Sequence, residues 1–272
     1  MQPKVWFITG SSRGFGRVWA RAALSRGDQV VATARDIATL RALREEFGEA
    51  VLPLRLDVTD RAAVQSTLAV AYAHFGHLDV VVNNAGYGLF GTVEEVTEDE
   101  ARAQFETNMF GALWVTQAAI PILRAQGRGH ILQVSSISGT TAFPTLGLYN
   151  ATKWALEGLS QALAAELAGF GIHTTLVEPM GYATDWGGIS AVHSTPIAAY
   201  DGLRAQLAVD FAAFKQGDPN ATADAILAVV DAEDPPLRLL LGTGGLDLMR
   251  ADYEARLRTW EQWAPVSDAA QG

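Results

Sequence analysis

The sequence predicts a doubly wound α/β fold, and three observations carry that prediction. Short, almost wholly apolar runs alternate with longer amphipathic stretches along the chain. A glycine-rich turn joins the first apolar run to the first amphipathic stretch. No linker, internal repeat or low-complexity segment divides the 272 residues, so a single domain over 1–272 is expected.

The elements follow in order. Val5–Thr9 reads as a buried strand, and a helix runs from about Gly14 to Ser25 after the turn. Gln29–Thr33 is a second strand, followed by a helix over Ile37–Phe47; Val51–Leu56 is a third. Asp60 has the position and chemistry of an N-cap for a helix that reaches Phe75. Asp79–Asn83 is the fourth strand. A long helix over Glu98–Ala125 contains Pro121, which predicts a kink or an early end there. His130–Ser135, His173–Glu178 and Leu237–Leu241 complete seven strands, with a helix over Tyr149–Ala168 between the first two of these. Residues 179–199 are rich in Gly, Ser and aromatics and read as a loop or lid, with the substrate region extending to 215. The last amphipathic stretch, within 244–263, is a C-terminal helix. Apolar strands each followed by a helix belong to a parallel sheet covered on both faces, connected by right-handed crossovers.

Composition narrows the function. With 49% hydrophobic residues and seven Trp, the chain can build a large core without a staple. It has no cysteine, which excludes disulfides, thiolate catalysis and Cys-ligated metal sites. A net charge of −10 argues against a nucleic-acid-binding surface. No stretch has the length of a membrane span, and Met1–Lys4 lead into Val5 without a signal-like apolar region, so a soluble cytoplasmic protein is expected. His74 and His77 lie three apart without a third ligand, so no metal site is expected.

Thr9-Gly10-Ser11-Ser12-Arg13-Gly14-Phe15-Gly16 stands where the first strand gives way to the first helix. Glycines there let backbone N–H groups approach a pyrophosphate, and the helix N-terminus adds donors and a favourable dipole. The Lys-Ser/Thr ending of a nucleoside-triphosphate loop is missing. A tight strand–helix connection with no ligand is the competing explanation. Farther on, Tyr149 and Lys153 lie one helical turn apart on the same face, and the chain has only three lysines. A surface Tyr packed on a Lys stem is the alternative there.

These pieces together resemble the short-chain dehydrogenases/reductases over nearly the whole chain. The resemblance is carried by Gly10-(x)3-Gly14-Phe15-Gly16, Asn83-Asn84-Ala85-Gly86, Asn108, Ser136 and Tyr149-(x)3-Lys153, with Ser136 thirteen residues before Tyr149. It implies a Rossmann-like seven-stranded parallel sheet in the order 3-2-1-4-5-6-7. It also implies hydride transfer between a nicotinamide dinucleotide and a carbonyl or alcohol. Tyr149 is then the general acid/base, Ser136 the holder of the substrate oxygen, Lys153 the tuner of Tyr149 and a ligand of the nicotinamide ribose. By the same resemblance Asn108 kinks its helix and holds a water that passes protons to Lys153. Free Tyr titrates near 10, so making it a base at neutral pH takes about 4 kcal/mol of phenolate stabilisation. Nearby positive charge, from Lys153 and the nicotinamide, is the expected source.

The resemblance assigns cofactor contacts to Gly10, Ser12, Arg13, Gly14, Phe15 and Gly16 in the turn, and to Asp57, Val58, Asn84, Ala85, Gly86, Tyr149, Lys153, Pro179 and Thr184. The second strand ends Thr33-Ala34-Arg35-Asp36, with Ala34 where an NAD-type acid usually stands. Arg13 and Arg35 supply guanidiniums for a 2′-phosphate, so NADP(H) is expected rather than NAD(H). Asp36 is read as a helix cap. Met180 stands where the family commonly has glycine, in Pro179-Met180-Gly181, and is expected beside the nicotinamide. With Phe143, Leu146, Tyr182 and Trp186 it predicts an apolar pocket for a small-molecule carbonyl or alcohol, apolar or bulky in character. Reductases of 3-oxoacyl thioesters, steroids or quinones remain open, as does a protein that senses NADP(H) without turnover. The helices at 98–125 and 149–168, with Trp114 and Trp154, resemble those that pair subunits in the family, implying a homodimer or homotetramer.

Overall fold

The computed structural model describes residues 3–188 and 190–272; Met1, Gln2 and Ile189, which the sequence reading places at the N-terminus and in the long loop, lie outside them. The strands are β1 (Val5–Ile8), β2 (Gln29–Ala34), β3 (Val51–Arg55), β4 (Val80–Asn83), β5 (Leu89–Phe90), β6 (Gly129–Val134), β7 (Ile172–Pro179), β8 (Val192–His193) and β9 (Arg238–Leu241). The helices are α1 (Gly14–Ser25), α2 (Arg41–Phe47), α3 (Arg61–Phe75), α4 (Glu98–Phe105), α5 (Gly111–Gln126), α6 (Gly147–Leu167), α7 (Asp201–Ala213), α8 (Ala223–Asp231) and α9 (Gly245–Ala269). Seven strands form one parallel sheet, β3-β2-β1-β4-β6-β7-β9. Counted within that sheet, this is the predicted order 3-2-1-4-5-6-7.

Strand periodicity divides the core. In β1, Trp6 and Ile8 face a cluster with Trp19, Ala23, Leu40 and Val230, while Val5 and Phe7 face Val64, Leu68, Val115 and Leu123. Successive side chains point to opposite faces, so one strand serves both layers and must be apolar throughout. Asp60 accepts from Ala63 N at 2.9 Å and Asp36 from Ala38 N at 3.0 Å, so both act as caps. All C-terminal strand ends open on one edge. The crevice lies between β1 and β4, where the order reverses.

Three boundaries differ from the sequence reading. The long helix is interrupted at Glu106–Phe110 by a π turn containing Asn108, where the resemblance implies a kink, and it runs through Pro121 without the expected break. Pro121 withholds one N–H, but its expected partner, the carbonyl of Gln117, lies on an exposed turn where water can satisfy it. The last helix extends past Pro265 to Ala269. The lid contains β8, which pairs in parallel with β5, Leu89 beside Val192 and Phe90 beside His193. Two-residue strands have too little periodicity to be read from sequence. No helix among the described residues is long and apolar enough to cross a membrane.

Candidate active site

The parallel sheet gathers the candidate residues because each follows a strand at the same edge. The glycine turn leaves β1, Arg35 leaves β2, Asp57 and Val58 leave β3, and Asn84–Gly86 leave β4. Ser136 follows β6, and Pro179 closes β7.

Gly10 and Gly14 adopt left-handed backbone, with φ of 68° and 54°. A Cβ on Gly16 would run into the Gly10 carbonyl and the Asn84 amide. Arg13 precedes α1 in extended conformation and offers no side-chain cap, and the first turn carries no acidic residue. The first N–H groups of α1 therefore keep their donor capacity at a positive helix end. Across from Gly14 the nearest atoms to an added Cβ belong to Thr184, at 3.9 Å. A cleft of about 280 Å³ runs between Gly14, Arg17 and Val18 on one side and Ala183, Thr184 and Asp185 on the other. Uncapped donors beside an open cleft fit the diphosphate of a dinucleotide.

Several residues expected at the cofactor have structural partners too. The Asn84 amide donates to Thr9 O at 2.9 Å and Gly10 O at 3.1 Å, tying the β4 end to the glycine turn. The Thr9 hydroxyl accepts from Asn84 N at 2.9 Å and Ala85 N at 3.0 Å. Asp57 accepts from Thr59 N at 3.0 Å, and buried Val58 abuts Gly111. Phe15 stacks on Trp19 at 5.2 Å. Ser12 is half-buried in the turn, and Arg13 and Arg35 are exposed at its edge. Arg35 partly offsets a burial-driven rise in the Tyr87 phenol.

Tyr149 and Lys153 open the buried face of α6. Lys153 Nζ donates to Val134 O at 2.8 Å and lies 5.7 Å from the Tyr149 ring centroid. Ser136 Oγ accepts from Ser138 N at 3.1 Å and stands near enough to the Tyr149 hydroxyl to influence its ionisation. Asn108 accepts from Tyr87 N at 3.1 Å and donates to Tyr87 O at 3.0 Å. A Cβ on Gly86 would meet Asn108 Oδ1 at 3.1 Å and Lys153 Nζ at 3.8 Å, so both side chains converge on that glycine. Ser136, Tyr149, Lys153 and Asn108 thus form one connected group.

The electrostatics depart from the expectation that Lys153 depresses Tyr149. Burial pushes the Tyr149 phenol up to about 12, with the Ser136 hydrogen bond a smaller opposing effect. Burial also brings Lys153 down to about 8, against a smaller upward pull from Glu157. In the protein by itself the phenol is therefore held as a proton donor.

The expected pocket residues separate. Trp186 covers Tyr149, with ring centroids 4.8 Å apart. Leu146 is buried and bridges to Gly91, and half-buried Phe143 accepts from the Asn150 amide at 2.9 Å. Tyr182 instead packs edge-on against Phe15 at 5.2 Å and against Gly217. Met180 lies against Gly242 and Gly245 at the start of α9, 3.0 and 3.3 Å from their added Cβ positions. Sequence reasoning overlooked Gly88 and Phe90, which hold Trp186, and Tyr87, whose backbone Asn108 grips. It also overlooked Glu157, although its spacing four beyond Lys153 repeats that of Tyr149 and Lys153.

Comparison with known proteins follows this geometry. The short chain dehydrogenase family matches residues 4–190. Oxidoreductase BOA17 of Botryotinia fuckeliana is 42% identical over 98% of this chain and 99% of its own length. The crystal structure of a short-chain dehydrogenase from Streptomyces avermitilis superposes with a TM-score of 0.91 at 38% identity, covering 98% of this chain and 99% of its own. Two more distant structures are each 27% identical. An alcohol dehydrogenase from Thermococcus sibiricus, complexed with 5-hydroxy-NADP, has a TM-score of 0.75 over 88% of this chain and 96% of its own. A short chain dehydrogenase/reductase from Burkholderia phymatum, in complex with NAD, has a TM-score of 0.80 over 93% and 95%.

Proposed function

The chain belongs to the short-chain dehydrogenase family, and on that premise we propose that it is an NADP(H)-dependent reductase of an apolar or bulky ketone, reversible towards the secondary alcohol. The observation that carries this reading is buried Tyr149 beside Ser136 at the sheet edge, with Lys153 Nζ 5.7 Å from the phenol ring.

A bound nicotinamide dinucleotide supplies or accepts the hydride. The glycine turn and the α1 N-terminus would hold its diphosphate, Asp57 and Val58 its adenine, Asn84, Ala85 and Gly86 its adenosine ribose. Lys153 would hold the nicotinamide ribose, and Pro179 and Thr184 the carboxamide. Ser136 fixes the substrate oxygen next to Tyr149. Tyr149 gives that oxygen its proton during reduction, a role suited to a phenol kept neutral by burial. Lys153 returns a proton to Tyr149 and is itself reprotonated from solvent through water that Asn108 would hold.

Support for NADP(H) comes from the β2 end. Ala34 is buried, Arg13 and Arg35 are exposed beside the turn, and Asp36 is engaged in its cap at 3.0 Å. Trp186, Phe90 and Leu146 near Tyr149 support an apolar substrate. The half-exposed Trp154 on α6 supports self-association through α5 and α6, which light scattering would measure.

The test is NADPH oxidation against a panel of ketones, aldehydes, 3-oxoacyl thioesters, steroids and quinones. At least one carbonyl class is turned over, and Tyr149→Phe lowers that turnover by about 10³-fold or more with cofactor affinity retained. Wild-type turnover in Tyr149→Phe overturns the reading.

A further inference from the structure

Positions 149, 153 and 157 recur every fourth residue on α6, so Glu157 lies on the same buried face one turn beyond Lys153. Nothing in the mechanism above uses it. Opposite Glu157, β7 contributes Glu178 and β9 contributes Arg238. Arg238 Nε lies 3.0 Å from Glu157 Oε2 and 3.5 Å from Glu178 Oε1, and its Nη2 donates to Gln161 at 3.0 Å. Glu157 and Glu178 are 6% and 2% exposed, so two buried carboxyls share one guanidinium that itself reaches the surface.

Hydrogen bonding identifies the charge of this cluster. Ser135 Oγ, Glu157 Oε1 and Glu178 Oε1 are buried and have no hydrogen-bond partner. A proton between the carboxyls, with the Ser135 hydroxyl turned to Glu157, satisfies them. Burial raises both carboxyls above their ordinary range, and Glu178 is raised further by repulsion from Glu157. The pair then carries one negative charge, divided between two sites at different distances from Lys153. The space is closed: a Cβ on Gly139 would strike Ser135 Oγ at 2.6 Å and Glu157 Cγ at 3.0 Å. Among the described residues, the titratable groups facing Glu157 are Lys153 on its own helix, Glu178 on β7 and Arg238 on β9. The β6 end and the turn after it add only Ser135 and Gly139. Of these carboxyls, Glu157 lies one helical turn from Lys153 and favours its ammonium form.

We propose that Glu157 is a positioning residue for the reaction, its share of a single charge held in common with Glu178 setting how much of Lys153 is ammonium. The inference rests on the oxidoreductase reading for its functional meaning, since Lys153 matters there as the partner of Tyr149. It differs from a purely structural role in one respect. Isosteric changes at the two carboxyls must act in opposite directions. Glu157→Gln moves the whole charge to Glu178, away from Lys153, and lowers the Lys153 midpoint. Glu178→Gln places the whole charge on Glu157 and raises it.

Only three lysines are present, so protein labelled with ¹³C at lysine Cε gives three signals, assigned with Lys4→Arg and Lys215→Arg. The Lys153 midpoint should fall by about one pH unit in Glu157→Gln and rise by a smaller amount in Glu178→Gln, because Glu178 holds the larger share of the common proton. The alkaline limb of kcat for carbonyl reduction should move with it. Shifts in the same direction, or an unmoved Lys153, overturn the proposal. Should Glu157→Gln not fold, Glu178→Gln decides alone: a rise supports the proposal, a fall or no change overturns it. The titration needs no substrate. Opposite shifts in a protein that reduces no carbonyl overturn the oxidoreductase reading alone, and an active enzyme with an unmoved Lys153 overturns this inference alone.

Discussion

The indole of Trp186 lies across the phenol of Tyr149, with ring centroids 4.8 Å apart and planes inclined by 56°. Trp186 is held by Phe90, at 5.4 Å, and by the absence of a side chain at Gly88, where a Cβ would come within 2.7 Å of the indole. The lid that carries it is tied down by Val192 N donating to Gly88 O and Ser194 N to Phe90 O, both at 2.9 Å. Arg204 further pairs with Glu95, and Ile197 N donates to the same carboxylate at 2.7 Å.

Removing the indole should therefore weaken substrate binding more than cofactor binding. An aromatic face contributes about 1 kcal/mol beyond its area, so Trp186→Ala should raise KM for an apolar ketone by about fivefold or more. Gly88→Ala, which displaces the indole without deleting it, should act in the same direction. Steady-state kinetics with fluorescence titration of NADPH separate the two effects; equal loss of both affinities would place Trp186 in the cofactor site.

Arg13 and Arg35 flank the glycine turn without a resolved ion pair to hold them elsewhere among the described residues. Arg13→Ala and Arg35→Ala should each raise KM for NADPH by about tenfold or more while leaving NADH nearly unchanged, because only the 2′-phosphate needs their charge. The ratio of kcat/KM for the two cofactors is the measurement. A parallel loss with both would assign the arginines to the shared diphosphate.

His130 sets a pH dependence of stability remote from the site. Burial, with smaller repulsion from His173 and Lys4, lowers it to about 3, and Nε2 meets Thr175 Oγ1 at 2.9 Å. A depressed folded value means that the unfolded chain takes up the proton first. Stability is then complete above about 6.5 and is lost as pH falls from there towards 3. Melting curves should show Tm falling with acidification across that window, less steeply in His130→Gln. Identical slopes would remove His130 from the acid limb.

Thr145, four residues before Tyr149, holds φ at 63° and accepts from Gly91 N at 2.8 Å. A β-branched residue is strained in that region, whereas Asn tolerates it. Thr145→Asn should stabilise the fold by about 0.5–1 kcal/mol, read as a rise in Tm. A fall would show that the threonine side chain makes a contribution exceeding its strain.

Local pattern made the sheet legible. Val5–Ile8 is apolar at every position because both faces are covered, and Asp36 and Asp60 cap the turns they precede. The glycine turn and the spacing of Tyr149 and Lys153 were readable because a turn and a helical face are short-range matters. The helix break at Asn108 was implied only by the family resemblance, while local pattern pointed to Pro121, since the break depends on Tyr87, a partner twenty-one residues away.

From sequence alone, then, come the order of strands and helices, the glycine turn, and a Tyr and a Lys on one face of one helix. These follow from periodicity and backbone preference within a few residues. Tertiary structure decided what those side chains meet. It put Tyr182 against Phe15 and Met180 against Gly242, laid Trp186 over Tyr149, and placed Glu178 opposite Glu157. It also decided the protonation bias of Tyr149 and Lys153, because burial depends on every element packed around a group and outweighs the charge of a single neighbour.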